Sequence, residues 1–349
     1  MNFQPNTPAH ADFYFPAEWY PHRATWLSWP HKEASWPGKI QSIYKPYAQF
    51  IHEISLGEWV CINVLDNKME EEAKKILSKE SVDLNKIQFF HNPTNDAWCR
   101  DHGPAFLINK SNPHKKALVS WLYNAWGNKY PPYNLDVQIP SKIGQILDIP
   151  VFRPEIIMEG GSVDFNGEGS LITTKSCLLN PNRNPNLGQA EIEQYLQSYY
   201  GVEQIIWLGD GIIGDDTDGH IDDLTRFVSS DHVITMVEWN KKDENYEALQ
   251  ENLDFLKSVK LINGKPLKIT EIPMPGPVIY EDIRLPASYA NFYISNHSVI
   301  VPIFGDPHDE IALQKLRPLF PDRNVIGINS VDIIWGLGSF HCLSQQEPL

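Results

Sequence analysis

Side chains that could take part in catalysis concentrate in a few short polar segments. These are Trp26–Pro30 (WLSWP), Trp98–Pro104 (WCRDHGP), Glu159–Gly161 (EGG), Asp215–Asp223 (DDTDGHIDD) and Gly336–Gln346 (GLGSFHCLSQQ). Together they supply carboxylates, imidazoles and a thiol, the groups used in acid–base and nucleophilic catalysis. Taken alone, each segment is also compatible with an ordinary turn.

His220 and Asp222 stand two positions apart, directly after Gly219. If they lie on a strand or at its end, their side chains point to the same face. The glycine and the aspartates before it predict a turn that enters this strand. Two other interpretations stay open. One is a plain Asp-rich surface turn, and the other is a metal site, weakened because no further His or Cys lies at ligand spacing.

Cys342 follows His341 in a glycine-containing loop near the end of the chain. A free cysteine is most often a small buried hydrophobe. Here the turn at Gly336–Ser339 permits unusual backbone angles, and the Ser-Gln-Gln that follows the cysteine is polar, so a reactive thiol is a serious alternative. The remaining cysteines, at positions 61, 99 and 177, are interpreted as structural.

Two more acids stand beside glycines. Asp101 follows Arg100 and precedes a Gly-Pro pair, and Trp98 lies three positions before it. Such an Arg-Asp pair is usually a solvated ion pair. Glu159 follows the apolar residues 156–158, which predicts a strand that ends with an acid on a flexible Gly-Gly turn.

The elements that must position these groups form a mixed α and β pattern. Helical periodicity predicts helices over Ile40–Ser55, Lys68–Ser78, Gln189–Tyr200, Glu244–Val259 and Glu310–Leu319. β-branched or aromatic runs predict strands over Trp59–Leu65, Ala117–Leu122, Gln204–Leu208, His232–Val237, Ser298–Phe304 and Asn324–Ile328. Several strands occur per helix, which argues against a doubly wound parallel sheet.

The candidate residues also have a regular spacing. Asp101, Glu159, His220 and Cys342 are separated by 58, 61 and 122 positions. A repeat of about 60 residues would explain these gaps, with one silent module between the last two and one before the first. The spacing therefore suggests five modules.

Composition narrows the classes of partner. The chain has 349 residues and a formal net charge of −15, so nucleic acid would be repelled. The charge could steer a cationic small substrate or serve solubility alone. Four scattered cysteines form neither a disulfide framework nor a zinc pattern. We find no signal peptide and no apolar run of membrane-spanning length, so we expect a cytoplasmic protein that does not bind a membrane.

The set of motifs resembles the guanidine-modifying enzymes of the pentein superfamily, and within it the agmatine deiminase and bacterial-type peptidylarginine deiminase family. The resemblance rests on W-x-R-D-x-G-P, E-G-G, H-x-D and the C-terminal G-x-G-x-x-H-C, and extends to PHRATWLSWP, NAWGNKYPPYN, CLLNPNRNP, SYANFYISN and FPDRNVIGI. It implies a single domain over residues 1–349. The implied fold is an α/β propeller with five blades, built from pseudo-fivefold ββαβ-type modules of roughly 60–70 residues around an acidic channel.

The resemblance also implies a catalytic set. Asp101 and Asp222 grip a guanidinium group, and Cys342 attacks its carbon. His220 protonates the departing nitrogen and then activates water. Glu159 orients His220 and raises its pKa, and no metal or cofactor is needed because the electrophile is already cationic.

Agmatine, a small cationic guanidine, is the expected substrate. Its second cation could meet Asp216 or Asp218, and Trp98 and Trp126 could flank its apolar chain. The nucleophile loop departs from the G-G-G-N-I-H-C typical of the family at Leu337, Ser339 and Phe340. The departures at Leu337 and Phe340 could reshape that end of the pocket.

Other functions stay open. With the same catalytic set, the protein could deiminate peptidylarginine or free arginine, and more distantly it could be an amidinotransferase. A Cys-His amide hydrolase would not use two acids at the electrophile, and an inactive binding module would not need all these residue types. A homo-oligomer is compatible with the sequence.

Overall fold

The computed structural model describes residues 5–349. Its nine α-helices are α1 Ile40–Ser55, α2 Asn67–Lys79, α3 Cys99–His102, α4 Ala125–Asn128, α5 Ile139–Leu147, α6 Lys175–Leu178, α7 Gln189–Tyr200, α8 Tyr246–Ser258 and α9 His308–Leu316, counted over those residues. Each of the five predicted helices is present. The last ends three residues early as an α-helix and continues as a 3-10 turn, Arg317–Leu319.

Nineteen strands are found over the same described residues. They are β1 Phe13–Tyr14, β2 His22–Ser28, β3 Trp59–Asn63, β4 Ile87–Phe90, β5 Ala105–Asn109, β6 Lys116–Val119, β7 Val151–Phe152, β8 Val163–Phe165, β9 Ser170–Thr174, β10 Gln204–Leu208, β11 Thr225–Ser229, β12 His232–Val237, β13 Lys268–Pro273, β14 Ile279–Tyr280, β15 Ile283–Arg284, β16 Tyr293–Ile294, β17 Ser298–Ile303, β18 Asn324–Asn329 and β19 Ser344–Pro348. All six predicted strands are present. The second, β6, ends three residues early, and Leu122 makes only a single bridge to Ile157.

The strands form separate small sheets rather than one continuous sheet. Their orders are β1-β5-β6-β7, β10-β9-β8, β11-β12-β13, β14-β15, β16-β17-β18 and β19-β2-β3-β4. Apart from the β14-β15 hairpin, each sheet contains an antiparallel pair whose second strand is followed by a helix and a parallel strand; β16, β17, α9 and β18 are one example. The fold is α/β, as predicted.

The helices cover the sheets with one apolar face each. In α1, Ile43, Tyr47, Ile51 and Ile54 are buried at spacings of three and four residues, which places them along a single stripe of the helix. Helix α7 ends at Gly201, which has φ +69°. The left-handed conformation there favours glycine, and the predicted end of this helix at Tyr200 is confirmed.

At two positions near the site where the sequence suggested a strand or a strand end, the chain forms a turn. Residues 221–223 form a 3-10 turn, with His220 immediately before it and β11 after it. The Glu159 segment has only the Ile157–Leu122 bridge before the 3-10 turn Gly160–Ser162. In both places the chain turns sharply at a sheet end, so the polar side chains lie at the sheet edges instead of along a strand.

The C-terminal strand determines where the last polar segment lies. β19 pairs antiparallel with β2, with Ser344 opposite Leu27. This pairing brings the loop that carries Cys342 beside the N-terminal sheet. No helix within residues 5–349 is long and apolar enough to cross a bilayer.

Candidate active site

The five residues expected to be catalytic lie together in a buried cluster. The Nδ1 atom of His220 is 3.9 Å from Oδ1 of Asp101 and 4.0 Å from Oδ1 of Asp222, and its Nε2 atom is 4.0 Å from Oε2 of Glu159. The thiol of Cys342 donates to Oδ2 of Asp222 at 3.5 Å. None of the five residues is more than 5% exposed. Residues up to 241 positions apart therefore converge on one site.

Gly161 makes this convergence sterically feasible. A Cβ atom at this position would lie 2.6 Å from Nδ1 of His220, 2.9 Å from Oδ1 of Asp101 and 3.0 Å from Oδ2 of Asp222. The backbone N–H of Gly161 donates to Oδ1 of Asp101 at 2.9 Å. Only a glycine can occupy this position without displacing the catalytic candidates.

Of the two acids expected to bind the guanidinium, Asp101 is the one whose charge is less favourable in its surroundings. Burial, and then the charges of Asp222 and Glu159, raise its pKa well above the ordinary value. The indole N–H of Trp126 donates to its Oδ2 at 3.0 Å, and so Trp126 orients this carboxylate. Since acids crowded in a buried site repel one another, a bound cation would relieve the repulsion.

The Cys342 thiol has its pKa raised well above the ordinary value. Burial is the largest cause, and the charges of Asp222, Asp223 and Asp101 add to it. The side-chain amide of Asn291 donates to Sγ at 3.0 Å and opposes the shift. Without a cation in the site, the thiol therefore stays protonated.

The prediction that Glu159 raises the pKa of His220 is wrong. Burial lowers this pKa to about 4, against the raising effect of the Asp222 charge. The guanidinium of Arg183 donates to Oε1 of Glu159 at 2.8 Å and, by its charge, also lowers the pKa of His220. The imidazole is accordingly neutral near pH 7. Sequence reasoning missed Arg183, although it lies in the CLLNPNRNP segment.

His341 connects Asp222 to a second acid. Its Nδ1 atom is 2.7 Å from Oδ2 of Asp222, and its Nε2 atom is 2.8 Å from Oε2 of Glu18. Despite burial, Arg226 and His341 hold the pKa of Glu18 well below its usual range. Despite burial, the hydrogen bond and charge of His341 likewise lower the pKa of Asp222. No motif in the sequence pointed to Glu18, whereas the position of His341 beside Cys342 could have drawn attention to His341.

A cavity of about 230 Å³ leads to Cys342 and Asp101, and it is mostly apolar. Trp98 and Trp126 line it, as expected, and Trp98 is stacked on Trp36 with ring centroids 5.1 Å apart. Other lining residues that the sequence did not single out include Asp96, Tyr130, Tyr280, Ile283 and Trp335. Within the described part of the chain, no Lys or Arg lines this cavity.

The structure separates the two aspartates proposed for the far end of the substrate. Asp216 lines the cavity and accepts a hydrogen bond from the Tyr130 hydroxyl. Asp218 does not line it. Its carboxylate is paired with Arg183 and with Lys129, whose Nζ is 2.8 Å away. Asp216 is therefore the one available to a ligand.

The three departures in the nucleophile loop have different surroundings. Leu337 lines the cavity and has φ +70°. Phe340 instead points into the core, where it stacks on Phe50 with ring centroids 4.7 Å apart, and Ser339 is buried beside Ser330. Leu337 alone among them can shape the pocket, so the expectation for Phe340 is wrong.

Comparisons with known proteins give the family. Residues 14–348 match the Porphyromonas-type peptidyl-arginine deiminase family. A protein of Legionella pneumophila provisionally named agmatine deiminase is 38% identical over 346 residues, which cover 98% of this chain and 96% of the relative. Another with the same provisional name, from Mycoplasma capricolum, is 33% identical and covers 98% of both chains.

Solved structures agree. The agmatine deiminase of Enterococcus faecalis superposes with a TM-score of 0.91 at 31% identity, covering 100% of this chain and 99% of the other. A substrate-bound agmatine deiminase of C. jejuni has a TM-score of 0.87 at 33% identity, covering 96% of each. An amidinotransferase of Microseira wollei, at 13% identity and a TM-score of 0.52, shares the fold alone. The chain belongs to the Porphyromonas-type peptidyl-arginine deiminase family.

Proposed function

We propose that this enzyme is an agmatine deiminase, which converts agmatine and water to N-carbamoylputrescine and ammonia. The observation that carries the proposal is the composition of the cavity. It ends at the Cys342 thiol between buried acids, it includes a further acid, Asp216, and it has no lining Lys or Arg among residues 5–349. Such a cavity suits a substrate with a cation at each end and no carboxylate.

Asp101 and Asp222 would hold the guanidinium. This group is planar and keeps its charge at neutral pH, and carboxylates bind its N–H groups in paired, charge-assisted hydrogen bonds. Both acids lie within 4.0 Å of His220, on the side of its Nδ1 atom. The bound cation compensates their repulsion and lowers the pKa of the Cys342 thiol, so substrate binding activates the nucleophile.

The chemistry then proceeds in two halves. The Cys342 thiolate forms a bond to the guanidinium carbon, and neutral His220 takes up the thiol proton. His220 returns that proton to the departing nitrogen, which leaves as ammonia when its bond to carbon breaks. In the second half, His220 accepts one proton from water, and the oxygen attacks the amidino carbon. As the C–S bond breaks, the oxygen gives its remaining proton to the Cys342 thiolate, and the ureido product leaves. The proton on His220 passes to solvent and accounts for the ammonium that forms.

A five-module architecture is part of the proposal. The sheets repeat an antiparallel pair, a helix and a parallel strand, and the site residues lie at turns beside different sheets. We propose that residues 1–349 form one domain in which five such modules surround the cluster of acids.

The experiment that tests the function is a substrate comparison. Pure protein is incubated with agmatine, arginine and a blocked arginyl peptide, and ammonia and ureido product are measured for each. We expect agmatine to have the highest kcat/KM, because the α-carboxylate of arginine would lie near Asp216 without a cationic partner. Higher kcat/KM for the arginyl peptide would assign peptidylarginine deimination instead. Transfer of the amidino group to an added amine without ammonia release would identify an amidinotransferase.

Neutralising Asp216 is expected to weaken binding of the far amine. In Asp216→Asn, the lost charge-assisted contact corresponds to roughly 1.5–3 kcal/mol, or a decrease of about 10- to 150-fold in kcat/KM for agmatine. Because the contact exists before and during the chemical step, KM should rise more than kcat falls. Discrimination against arginine should also decrease. The exposed Asp210 provides the control, since Asp210→Asn removes the same charge away from the cavity; equal effects in both variants would refute the amine contact.

His341 is expected to act as a positioning residue for Asp222. In His341→Gln, the imidazole that lies between the carboxylates of Asp222 and Glu18 is replaced by an uncharged amide. Two buried carboxylates would lose the imidazole that contacts both of them, and we expect kcat to fall by about 10- to 100-fold. KM for agmatine should rise as well, since Asp222 holds the guanidinium. The double variant His341→Gln, Glu18→Gln also removes the buried charge of Glu18. If His341 served structure alone, His341→Gln would lower the melting temperature and leave KM for agmatine unaltered.

A further inference from the structure

Cys177 lies beside the catalytic cluster, although the proposed reaction does not use it. It belongs to α6, whose first turn is capped by the Thr174 side chain. The thiol of Cys177, a carboxylate oxygen of Glu159 and a ring nitrogen of His220 all lie within 4.8 Å of one another. All three residues are buried, with exposed fractions of 0%, 0% and 1%.

Three buried nitrogen and oxygen atoms of this cluster have no hydrogen-bond partner. Oε2 of Glu159 and both ring nitrogens of His220 are buried and unpartnered. Buried polar atoms without partners are rare in folded proteins, and each calls for an explanation. Arg183 fixes the other oxygen of Glu159, and this holds Oε2 4.0 Å from Nε2 of His220. The arrangement presents a carboxylate oxygen, an imidazole nitrogen and a sulfur to one common point.

We propose that Glu159, Cys177 and His220 bind one Zn²⁺ ion, and that this ion inhibits the enzyme. The inhibitory effect rests on the proposed function, in which His220 carries the protons of the reaction. On binding, the Cys177 thiol releases its proton, its sulfur bonds to the metal, and a lone pair of the imidazole is occupied. His220 can then no longer accept the proton of Cys342.

The ligand set favours zinc over harder cations. Sulfur, nitrogen and carboxylate oxygen in a three-ligand set are typical of Zn²⁺, with bonds of about 2.0–2.3 Å and a fourth position left for water. Mg²⁺ and Ca²⁺ prefer sites made of oxygen ligands. The present separations require the side chains to move inward by about 1 Å or less to reach those bond lengths.

The surrounding charges favour a dication. Arg183 is the cation in contact with Glu159, and it is itself paired with Asp218. Asp101 and Asp222 lie within 4.0 Å of His220 on its other side. A divalent ion at Glu159 would thus enter a region that contains several carboxylates and one guanidinium, that of Arg183.

Metal binding can be measured without turnover. Cys342→Ala removes the other thiol of the site and keeps the three proposed ligands. We expect this variant to bind one equivalent of Zn²⁺ in equilibrium dialysis, and Co²⁺ in its place to show a sulfur-to-metal charge-transfer band. Adding Cys177→Ser should abolish the band and weaken Zn²⁺ binding by at least about 10-fold, as losing even an outer-shell partner costs that much. Adding Cys61→Ser, a buried cysteine on β3, should change neither.

Inhibition is measured on enzyme that retains Cys342. After preincubation with Zn²⁺ we expect loss of agmatine turnover that a chelator restores. Cys177→Ser should keep kcat within about twofold of the parent while its inhibition constant for Zn²⁺ rises by at least about 10-fold. Cys177→Ala provides a second variant should the serine variant fail to fold.

Two results would overturn the proposal. One is Zn²⁺ binding that is unaffected by either Cys177 variant, and the other is binding that disappears in Cys342→Ala alone, which would place the metal at the nucleophile. Because the binding measurement needs no substrate, absence of agmatine turnover would refute the proposed function and leave the metal site standing.

Discussion

Cys342→Ser is expected to lower kcat for agmatine by at least about a thousandfold while the protein stays folded. The alcohol is a much weaker nucleophile than a thiolate, and His220, the proposed proton acceptor, has its pKa lowered to about 4 and is too weak a base to ionise it. The groups in contact with the side chain are an acid and an amide. Steady-state ammonia release gives kcat, and circular dichroism with a thermal melt verifies the fold. Activity within about tenfold of the parent would remove the covalent mechanism.

Covalent labelling of the parent enzyme tests the same nucleophile independently of the variant. A haloacetamidine is cationic and planar, so it should bind between Asp101 and Asp222 and lower the thiol pKa as agmatine does. We expect it to alkylate Cys342 much faster than neutral iodoacetamide does and to spare Cys61, which is buried in β3. Peptide mapping by mass spectrometry identifies the modified residue. Equal rates for the two reagents would contradict activation of the thiol by a bound cation.

Asp101→Asn and Asp222→Asn are each expected to lower kcat/KM for agmatine by about 100-fold or more. Each change replaces a charged acceptor that makes paired hydrogen bonds to the guanidinium, each bond being worth roughly 1.5–3 kcal/mol. The two variants are expected to differ in melting temperature, which a thermal melt measures. Asp101 has a raised pKa because of burial and neighbouring acids, so removing its charge should leave the melting temperature unchanged or higher.

Asp222 should behave in the opposite way in the melt. The pKa of its carboxyl is lowered through its contact with His341, so its ionised form stabilises the fold. That contribution is present above the carboxyl's unfolded pKa, and it is lost in Asp222→Asn, which should melt at a lower temperature. A lower melting temperature with undiminished kcat/KM in Asp101→Asn would show that this carboxylate serves structure alone.

Local signals in the sequence were sufficient for most of the secondary structure, whereas the catalytic candidates were chosen from the order of their motifs and the resemblance to a known family. The periodicity of α1 and the end of α7 at Tyr200 depend on neighbours within a few residues, and both predictions are confirmed. Each of the five catalytic candidates lies in a short segment rich in glycine or polar residues; they are Asp101, Glu159, His220, Asp222 and Cys342. Their grouping could be anticipated from motif order, and the structure brings them together.

Partners distant in sequence decided what each group can do. Glu18 and His341 are 323 positions apart, yet they form one hydrogen bond. Asp216 and Asp218 look equivalent in the sequence, but the carboxylate of Asp218 is paired with Arg183 and Lys129, whereas Asp216 lines the cavity.

Tertiary packing also determines the protonation state of the His220 imidazole and the orientation of the Phe340 side chain. Burial lowers the pKa of His220 to about 4, and Phe340 stacks on Phe50 from α1 instead of facing the cavity. Residue types and turns were readable from the sequence because they depend on local backbone preferences. Charge state, ligand access and the position of Cys177 beside His220 were decided by tertiary structure, since burial and Coulomb interactions depend on which distant segments are packed together.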